Sequence, residues 1–469
     1  MKVTIVGGGM MGLCTAMLLT GDGHDVLVLE RDVASPPDPL DAWDSWERKG
    51  VNQFRLAHFF LSRFRAIAEV ELPQVTAALV AAGACNFNVV GNIPDEMKGG
   101  WRPGDDRFDL STGRRAMVEA VMARTCEAMP KVTVRRGAAV SGLLVGAPAR
   151  SGVPHVTGVE LEDGARIISD LVIDATGRRS PLPRWLEAIG AGPTVEEMDD
   201  SGFVYYGRHF RSPDGTIPAM FGPLRQDYKS LSCLTLPADN GTWSVTIAAS
   251  SRDAAIRGVR DPQKFESVVK LLPLAAHWLD GVPIDETVSF MGKIEDRVRD
   301  FAPGGTPVAT GVFAVADSWA CTNPSLGRGA SLGLVHAVAL RDLLRRSQEA
   351  DPFRLATEWA SVTSETVEPW FRSTVNYDRH RLAEIQADID GGGPYETADT
   401  EWNLIKGLET RAMADGAILR ANLDVAMVLR SPAEVFSDET LVSLVRQHMA
   451  IEVAPMGPER SEVLAALAG

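Results

Sequence analysis

The sequence predicts an α/β fold: a parallel sheet assembled from discontinuous segments, an inserted antiparallel β-sheet, and a helical C-terminal region. Three features carry that expectation. A strand, a helix and a second strand follow one another within residues 1–30. Further buried strands, one ending at Asp174 and one near Val315, arrive far downstream. Between 180 and 300 the pattern turns to alternating apolar and polar residues, as in a half-buried sheet.

The elements follow in order. Lys2–Val6 is a short apolar run that ends in glycines, and Leu13, Ala16, Met17 and Leu19 then recur near helical spacing. Gly21-Asp-Gly-His24 breaks that helix, and Asp25–Glu30 is a second buried strand. Residues 31–110 are irregular, with prolines at 36–39 and helical periodicity over 59–82. Arg114–Met129 reads as an amphipathic helix, 132–134 and 138–145 as strands, and 158–161 with 166–168 as a hairpin around Glu162-Asp-Gly164. Asp170–Asp174 is another buried strand. The segments 203–210 and 242–248 alternate, which suggests a separate antiparallel sheet. Pro307–Val315 is again a buried strand, followed by a helix from about Ser331 to Arg346, and the chain beyond 352 is mostly helical by periodicity.

With 469 residues the chain is long enough for two or three domains. The net charge of −15 argues against a nucleic-acid partner, which would meet a basic patch. Cys14, Cys85, Cys126, Cys233 and Cys321 are scattered and form no CxxC pair, so free thiols in a reducing compartment are expected and no metal site. Residues 3–20 are apolar, but glycines at 7–9 break the run, and no other stretch approaches the roughly 20 apolar residues that span a bilayer. A cytoplasmic enzyme without stable membrane insertion, monomeric or homodimeric, is the expectation.

Three motifs carry chemistry. Gly7-Gly8-Gly9-Met10-Met11-Gly12 follows the first strand and opens the helix. Gly7 permits the tight turn, Gly9 lets the backbone approach a pyrophosphate, and Gly12 allows close helix–strand packing. The helix N-terminus, at Met10 and Met11, offers unpaired N–H groups to phosphates. Glu30 closes the second strand, where a carboxylate accepts hydrogen bonds from ribose hydroxyls and repels a 2′-phosphate. This Rossmann-like unit therefore leaves NAD or FAD. The second motif, Asp170-Leu-Val-Ile-Asp174-Ala-Thr-Gly177, is a strand ending in a turn that a simple NAD dehydrogenase does not need. In the third, a strand delivers Asp317, and a loop containing Asn323-Pro324 and Gly327-Arg-Gly329 then opens a helix.

Together the three resemble the FAD-dependent group A monooxygenase superfamily, the fold of para-hydroxybenzoate hydroxylase, over roughly residues 1–345. Arg48–Gln53 and the Asp317–Gly329 segment are most similar to the squalene-epoxidase and polyether-epoxidase branch and to related actinobacterial oxidoreductases. The resemblance implies an FAD-binding domain of 1–60, 100–195 and 296–350, a substrate-binding β-sheet domain of 61–99 and 196–295, and a helical region over 351–469. It places the pyrophosphate on Gly7, Gly9, Met10, Met11 and Gly12, the adenosine ribose at Glu30 and Arg31, and Arg48 close to the flavin. Arg115, or its neighbour Arg114, would approach the pyrophosphate, Val140 the adenine, and Asp317 the ribityl chain. Pro324, Gly327, Gly329 and Ala330 would line the flavin N1–C2=O edge, and Asp174 and Gly177 would also touch the cofactor. Two departures stand out. Ala316 precedes Asp317 where the family has glycine, and Asp174 and Gly177 are not contiguous.

The implied activity is monooxygenation, either hydroxylation or epoxidation. NADPH or NADH would reduce FAD, and a flavin C4a-hydroperoxide would pass one oxygen of O2 to a small organic, specialised-metabolite substrate. Candidate substrate contacts are Tyr206 and Arg208 on one parity of the alternating strand, together with Trp319 and Asn323. Tyr205 and His209 share the opposite face. No residue presents itself as a catalytic base, and His58 reads as a structural histidine. This leans towards an alkene or apolar substrate, since epoxidation needs no protein base. Alternatives are a reductase of the geranylgeranyl-reductase type, a flavin halogenase, and a non-catalytic carrier of the GDI type.

Overall fold

The computed structural model describes residues 1–56, 58–347, 351–451 and 457–469. Five parallel strands form the central sheet, in the spatial order Val312–Ala314, Leu171–Asp174, Lys2–Val6, Asp25–Glu30 and Val132–Arg136. Their runs are nearly all apolar because both faces are covered. On one face the helix Met10–Gly21, buried at almost every position, packs with Arg115–Glu127 and Gly329–Arg346 through Leu13, Met17, Met122 and Leu340. On the other face lies the antiparallel sheet Val140–Val145, Val156–Leu161 and Arg166–Ile168, which shares a core with Leu29 and Val172.

Residues 61–99 depart from the expected assignment. Helices Ser62–Glu71 and Pro73–Ala81 bury Phe64, Ala68, Val75 and Leu79 in the same core as Leu13, not against the inserted sheet. Their apolar faces match the surface of the FAD-side helices, which a periodicity argument cannot choose between.

The inserted antiparallel sheet runs Arg225–Asp227, Leu231–Pro237, Thr242–Ser250, Phe203–Arg211 and Val282–Pro283, with Ser289–Met291 also paired to Phe203–Arg211. Strict alternation along Phe203–Arg211 gives it two different faces. Tyr206 and Phe210 join a core with Ile247, Phe265 and Trp278, while Phe203 and Tyr205 join Leu56, Met291, Ile294 and Ile385 on the other side.

Helix Glu368–Ile389 ties these layers together. Its Phe371 enters the core beside the parallel sheet, and its Ile385 enters the core beneath the inserted one. Arg420, on helix Gly416–Ala426, binds the fully buried Asp105 through two nitrogens. The final helix, Arg460–Ala468, returns to the inserted sheet through Val463 and Leu467. Among the described residues no helix is long and apolar enough to cross a membrane.

Candidate cofactor and active site

The glycine loop has the shape its spacing demands. Gly7 has φ +109°, and a Cβ there would stand 2.5 Å from the Ala175 carbonyl oxygen. A Cβ on Gly12 would overlap the Gly7 carbonyl, whereas one on Gly9 would meet open space. The turn is therefore closed against its own sheet and open above the helix N-terminus, which leaves a cradle for a phosphate on unpaired N–H groups. Met10 is buried under this cradle, and Met11 packs on Gly333.

Glu30 is held beside the loop. Its carboxylate accepts from the Gly8 and Asp32 N–H groups, both at 2.9 Å, and from Arg48 Nη2 at 2.6 Å. Arg48 also donates to the Gly8 carbonyl and to Glu119, and Glu119 accepts from Arg115 Nε. Arg115 Nη1 donates to His58 Nε2, so that nitrogen carries no proton. Burial pulls the Arg48 pKa down, but Glu119, Glu30 and Asp32 outweigh it and hold the guanidinium charged. Arg31 is exposed and lies over Gly50 at the rim. Val140 is half-buried at the start of its strand, two residues beyond Ala138, whose N–H donates to the Glu30 carbonyl.

The second motif is spent internally. Asp174 accepts from the Thr176 N–H and hydroxyl and from the Ser180 hydroxyl. It is 1% exposed, and its carboxylate is hydrogen-bonded within its own turn. Gly177, at φ +81°, donates its N–H to Ser318 Oγ and so joins the second motif to the third. Arg299, 1% exposed, staples both turns by donating to the Ser318 and Arg178 carbonyls.

Asp317 differs from Asp174. It has no hydrogen bond from any described residue, although burial pushes its pKa up and Arg115 and Arg178 only partly offset that. The preceding Ala316 is left-handed, with φ +55°, and donates its N–H to Nδ1 of the buried His336, which in turn meets Thr363 through Nε2. Beyond this turn, Pro324–Leu326 is a single 3₁₀ turn, Gly327 is left-handed against Phe59, and Gly329 faces open space at the start of its helix. Ala330 is half-buried against the helical core, and the buried Ser331 hydroxyl has no partner.

The inserted sheet closes over this loop. Tyr205 donates its hydroxyl to Asn323 Oδ1 at 2.7 Å, and the Asn323 N–H donates to Asp296. Ser325 donates to Asp378 Oδ1, from helix Glu368–Ile389. Burial pushes the Asp378 carboxyl up to about 7 and Asp296 up to about 6, and it lowers Arg328 to about 10. The Asn323 side chain faces Asp378 and helps to lower its carboxyl, while Arg328 Nε is buried without a hydrogen bond among the described residues. Arg225, Asp227, Tyr377 and Glu409 extend this polar wall: the Tyr377 hydroxyl accepts from Arg225 and directs its one proton between Asp227 and Glu409.

Residues 2–38 fit the family model described as FAD dependent oxidoreductase. Protein Rv3254 of Mycobacterium tuberculosis is 26% identical over 403 residues, which is 79% of either chain. The chloroplastic zeaxanthin epoxidase of Nicotiana plumbaginifolia is 25% identical over 75% of this chain and 50% of its own. PqsL, a probable FAD-dependent monooxygenase from Pseudomonas aeruginosa, superimposes with a TM-score of 0.59 at 16% identity, over 82% of this chain and 99% of its own. The tetrameric form of 2-methyl-3-hydroxypyridine-5-carboxylic acid oxygenase does so with a TM-score of 0.57 at 16% identity, over 82% and 92%.

The family match covers the glycine loop and Glu30, the part of the chain that would meet FAD. The chain shares its fold with PqsL and with 2-methyl-3-hydroxypyridine-5-carboxylic acid oxygenase. Its residues suit FAD: an open cradle at Gly9, an unpartnered carboxylate at Asp317, and free N–H groups at a helix start beside Gly329.

Of the four expected substrate contacts, Tyr206, Arg208 and Trp319 do not face the loop at Asn323. Tyr206 and Arg208 are on the far face of the inserted sheet, where Arg208 pairs with Glu266. Trp319 turns into a cavity of about 600 Å³ between Val312, Val308 and the helix Pro352–Thr366, edge-on to His336. Asn323 alone faces the loop and the sheet together. The parity of the strand was legible in the sequence, but which parity faces the flavin loop was not. Sequence reasoning also passed over Glu119, Arg299, His336 and Asp378, whose partners lie tens to hundreds of residues away and leave no local pattern.

Proposed function

We propose that this chain is a monooxygenase that takes reducing equivalents from NADPH or NADH and transfers one oxygen atom of O2 to a small organic substrate. The observation that carries this reading is the closure of the inserted sheet, through Tyr205 and Asn323, over the loop at which the flavin ring is expected. A sheet docked over that loop would help to keep water from a reactive oxygen species, which a site that merely passes electrons needs less. Bound FAD supplies the redox chemistry. Gly7, Gly9, Met10, Met11 and Gly12 would hold its pyrophosphate, Glu30 its adenosine ribose, and Asp317 its ribityl hydroxyls, while the N–H groups from Gly327 to Ser331 would face the ring edge where charge develops on reduction. Arg48 and Arg115 would secure Glu30 and the helix beside it.

The polar wall bears on the substrate. Asn323, Arg328 and Asp378 offer a donor, a cation and a carboxyl that titrates near neutrality, with Asn323 beside Asp378 and Arg328 Nε buried without a hydrogen bond among the described residues. Such a wall favours a substrate with hydrogen-bonding groups over the wholly apolar alkene that sequence alone suggested. Zeaxanthin epoxidase, a relative by sequence, keeps epoxidation as the alternative to hydroxylation.

The test is anaerobic reduction of the purified flavoprotein by NADH or NADPH, followed by rapid mixing with oxygen. A transient absorbance distinct from oxidised and reduced flavin, whose decay depends on the compound added, supports oxygenation. Smooth reoxidation with stoichiometric peroxide under all compounds tried would move the reading to a reductase.

A further inference from the structure

The even-numbered face of strand Phe203–Arg211 is turned away from the flavin loop, and most of it is covered by Phe265, Trp278 and the final helix. At its Val204–Tyr206 end that cover stops. There a cavity of about 400 Å³ opens between Tyr206, Ser250, Arg257, Arg260, Phe290 and Lys293. The sheet separates it from the flavin loop: Tyr206 forms part of its wall, while Tyr205 reaches Asn323 on the other side.

We propose that this cavity binds a phosphate-bearing planar ligand of mononucleotide size, with Arg257, Arg260 and Lys293 holding the phosphate and Phe290 carrying the ring. The charge balance is the first argument. In a chain of net charge −15, three cations surround one cavity and none of them forms an ion pair with a described residue. Asp200 and Asp253 also line the cavity. Asp253 is neutralised by both outer nitrogens of Arg460, and Asp200 accepts the Gly202 N–H. The three cations therefore outnumber the one lining acid that has no cation of its own.

A flat apolar surface is the second argument. The Arg260 guanidinium lies 3.9 Å over the Phe290 ring, and Phe290 packs 5.5 Å from Tyr206. A stacked guanidinium is already oriented, and the in-plane N–H groups of Arg260 not turned to the Tyr206 hydroxyl are left for an anion. Phe290 is 44% exposed, an uncovered aromatic beside those cations. The surface is closely fitted: a Cβ on Gly292 would stand 2.8 Å from the Phe290 ring and 3.3 Å from Val204. Lys293 then follows in the left-handed region, with φ +55°, a conformation that non-glycine residues keep where the surroundings impose it. The volume falls within the few hundred cubic ångströms of small-ligand sites. None of this depends on the oxygenase reading.

Calorimetric titration of the holoprotein, with FAD saturating so that its own site is filled, tests the proposal using ADP, 2′,5′-ADP and inorganic phosphate. ADP is expected to bind, and R257E and R260E are each expected to weaken it about tenfold or more, as loss of charge-assisted hydrogen bonds would. R252E makes the same charge change at an exposed arginine outside the cavity and should leave binding unchanged. F290A should weaken ADP but not inorganic phosphate. Tighter binding of 2′,5′-ADP than ADP would identify the source as an NADPH-type nucleotide, and equal binding as an adenine nucleotide without a 2′-phosphate. Failure of ADP to bind, or equal weakening by R252E, overturns the proposal. Inorganic phosphate binding as tightly as ADP, with F290A silent, overturns its planar part.

Discussion

At the adenosine end of the cleft, Glu30, Arg48, Glu119 and Arg115 satisfy one another, and each carboxylate has at least one guanidinium partner. At the end expected to hold the flavin, Asp317 has no hydrogen bond among the described residues, and Arg328 Nε and the Ser331 hydroxyl are buried without one. The first network fixes its own shape without help from a ligand. The second leaves polar groups desolvated and incompletely matched, which costs stability until something binds there. On the proposed function, cofactor and substrate would gain most of their binding energy where the protein is least satisfied.

Changes at the adenosine end should show as lost structure. The largest effect is expected from Gly12→Val, because even a Cβ there overlaps the Gly7 carbonyl. The purified variant should be colourless, as flavin absorbance would show at once. Arg48→Met leaves Glu30 buried without a counter-charge and Glu119 with Arg115 alone, and should cost about 3–5 kcal/mol in urea unfolding. A loss below ~1 kcal/mol would mean that the network is not a structural unit.

Changes at the flavin end should instead separate affinity from stability. Asp317→Asn is expected to weaken FAD binding by roughly tenfold to a hundredfold, the value of a charged hydrogen bond, while the apoprotein melts no lower than wild type. If apoprotein stability fell as much as FAD affinity, the carboxylate would be structural after all. Asp378, whose folded pKa is raised to about 7, keeps its proton when the unfolded chain has already lost it at about 4. Stability should therefore fall as pH rises from about 4 to about 7 and level off above that, and Asp378→Asn should flatten this slope. Asp296, raised to about 6, contributes in the same direction and would account for any slope that remains. The smallest effect is expected at Ala316, whose left-handed backbone costs about 1 kcal/mol in an L-residue. Ala316→Gly should raise the melting temperature slightly without altering the flavin spectrum.

The sequence by itself determined the central sheet and its glycine loop. Lys2–Val6, Asp25–Glu30 and Leu171–Asp174 lie where apolar runs and turn glycines place them, because a fully buried parallel strand and a tight turn each demand local residue types. It also determined Glu30 and Asp317, each at or just after the end of a strand. What only the tertiary structure decided is how side chains of equal local plausibility are spent. Asp174 and Asp317 each close a strand–turn element, yet one is consumed by Thr176 and Ser180 and the other is left open. Tyr205 and Tyr206 are adjacent on one strand, yet the sheet's docking sends the first to Asn323 and the second to an outer cavity. Asp378 reaches the flavin loop only because a long helix crosses both layers. Periodicity records which residues share a face, whereas the neighbour that face meets is set by packing between segments hundreds of residues apart, and the desolvation and pairing of each charge follow from that neighbour.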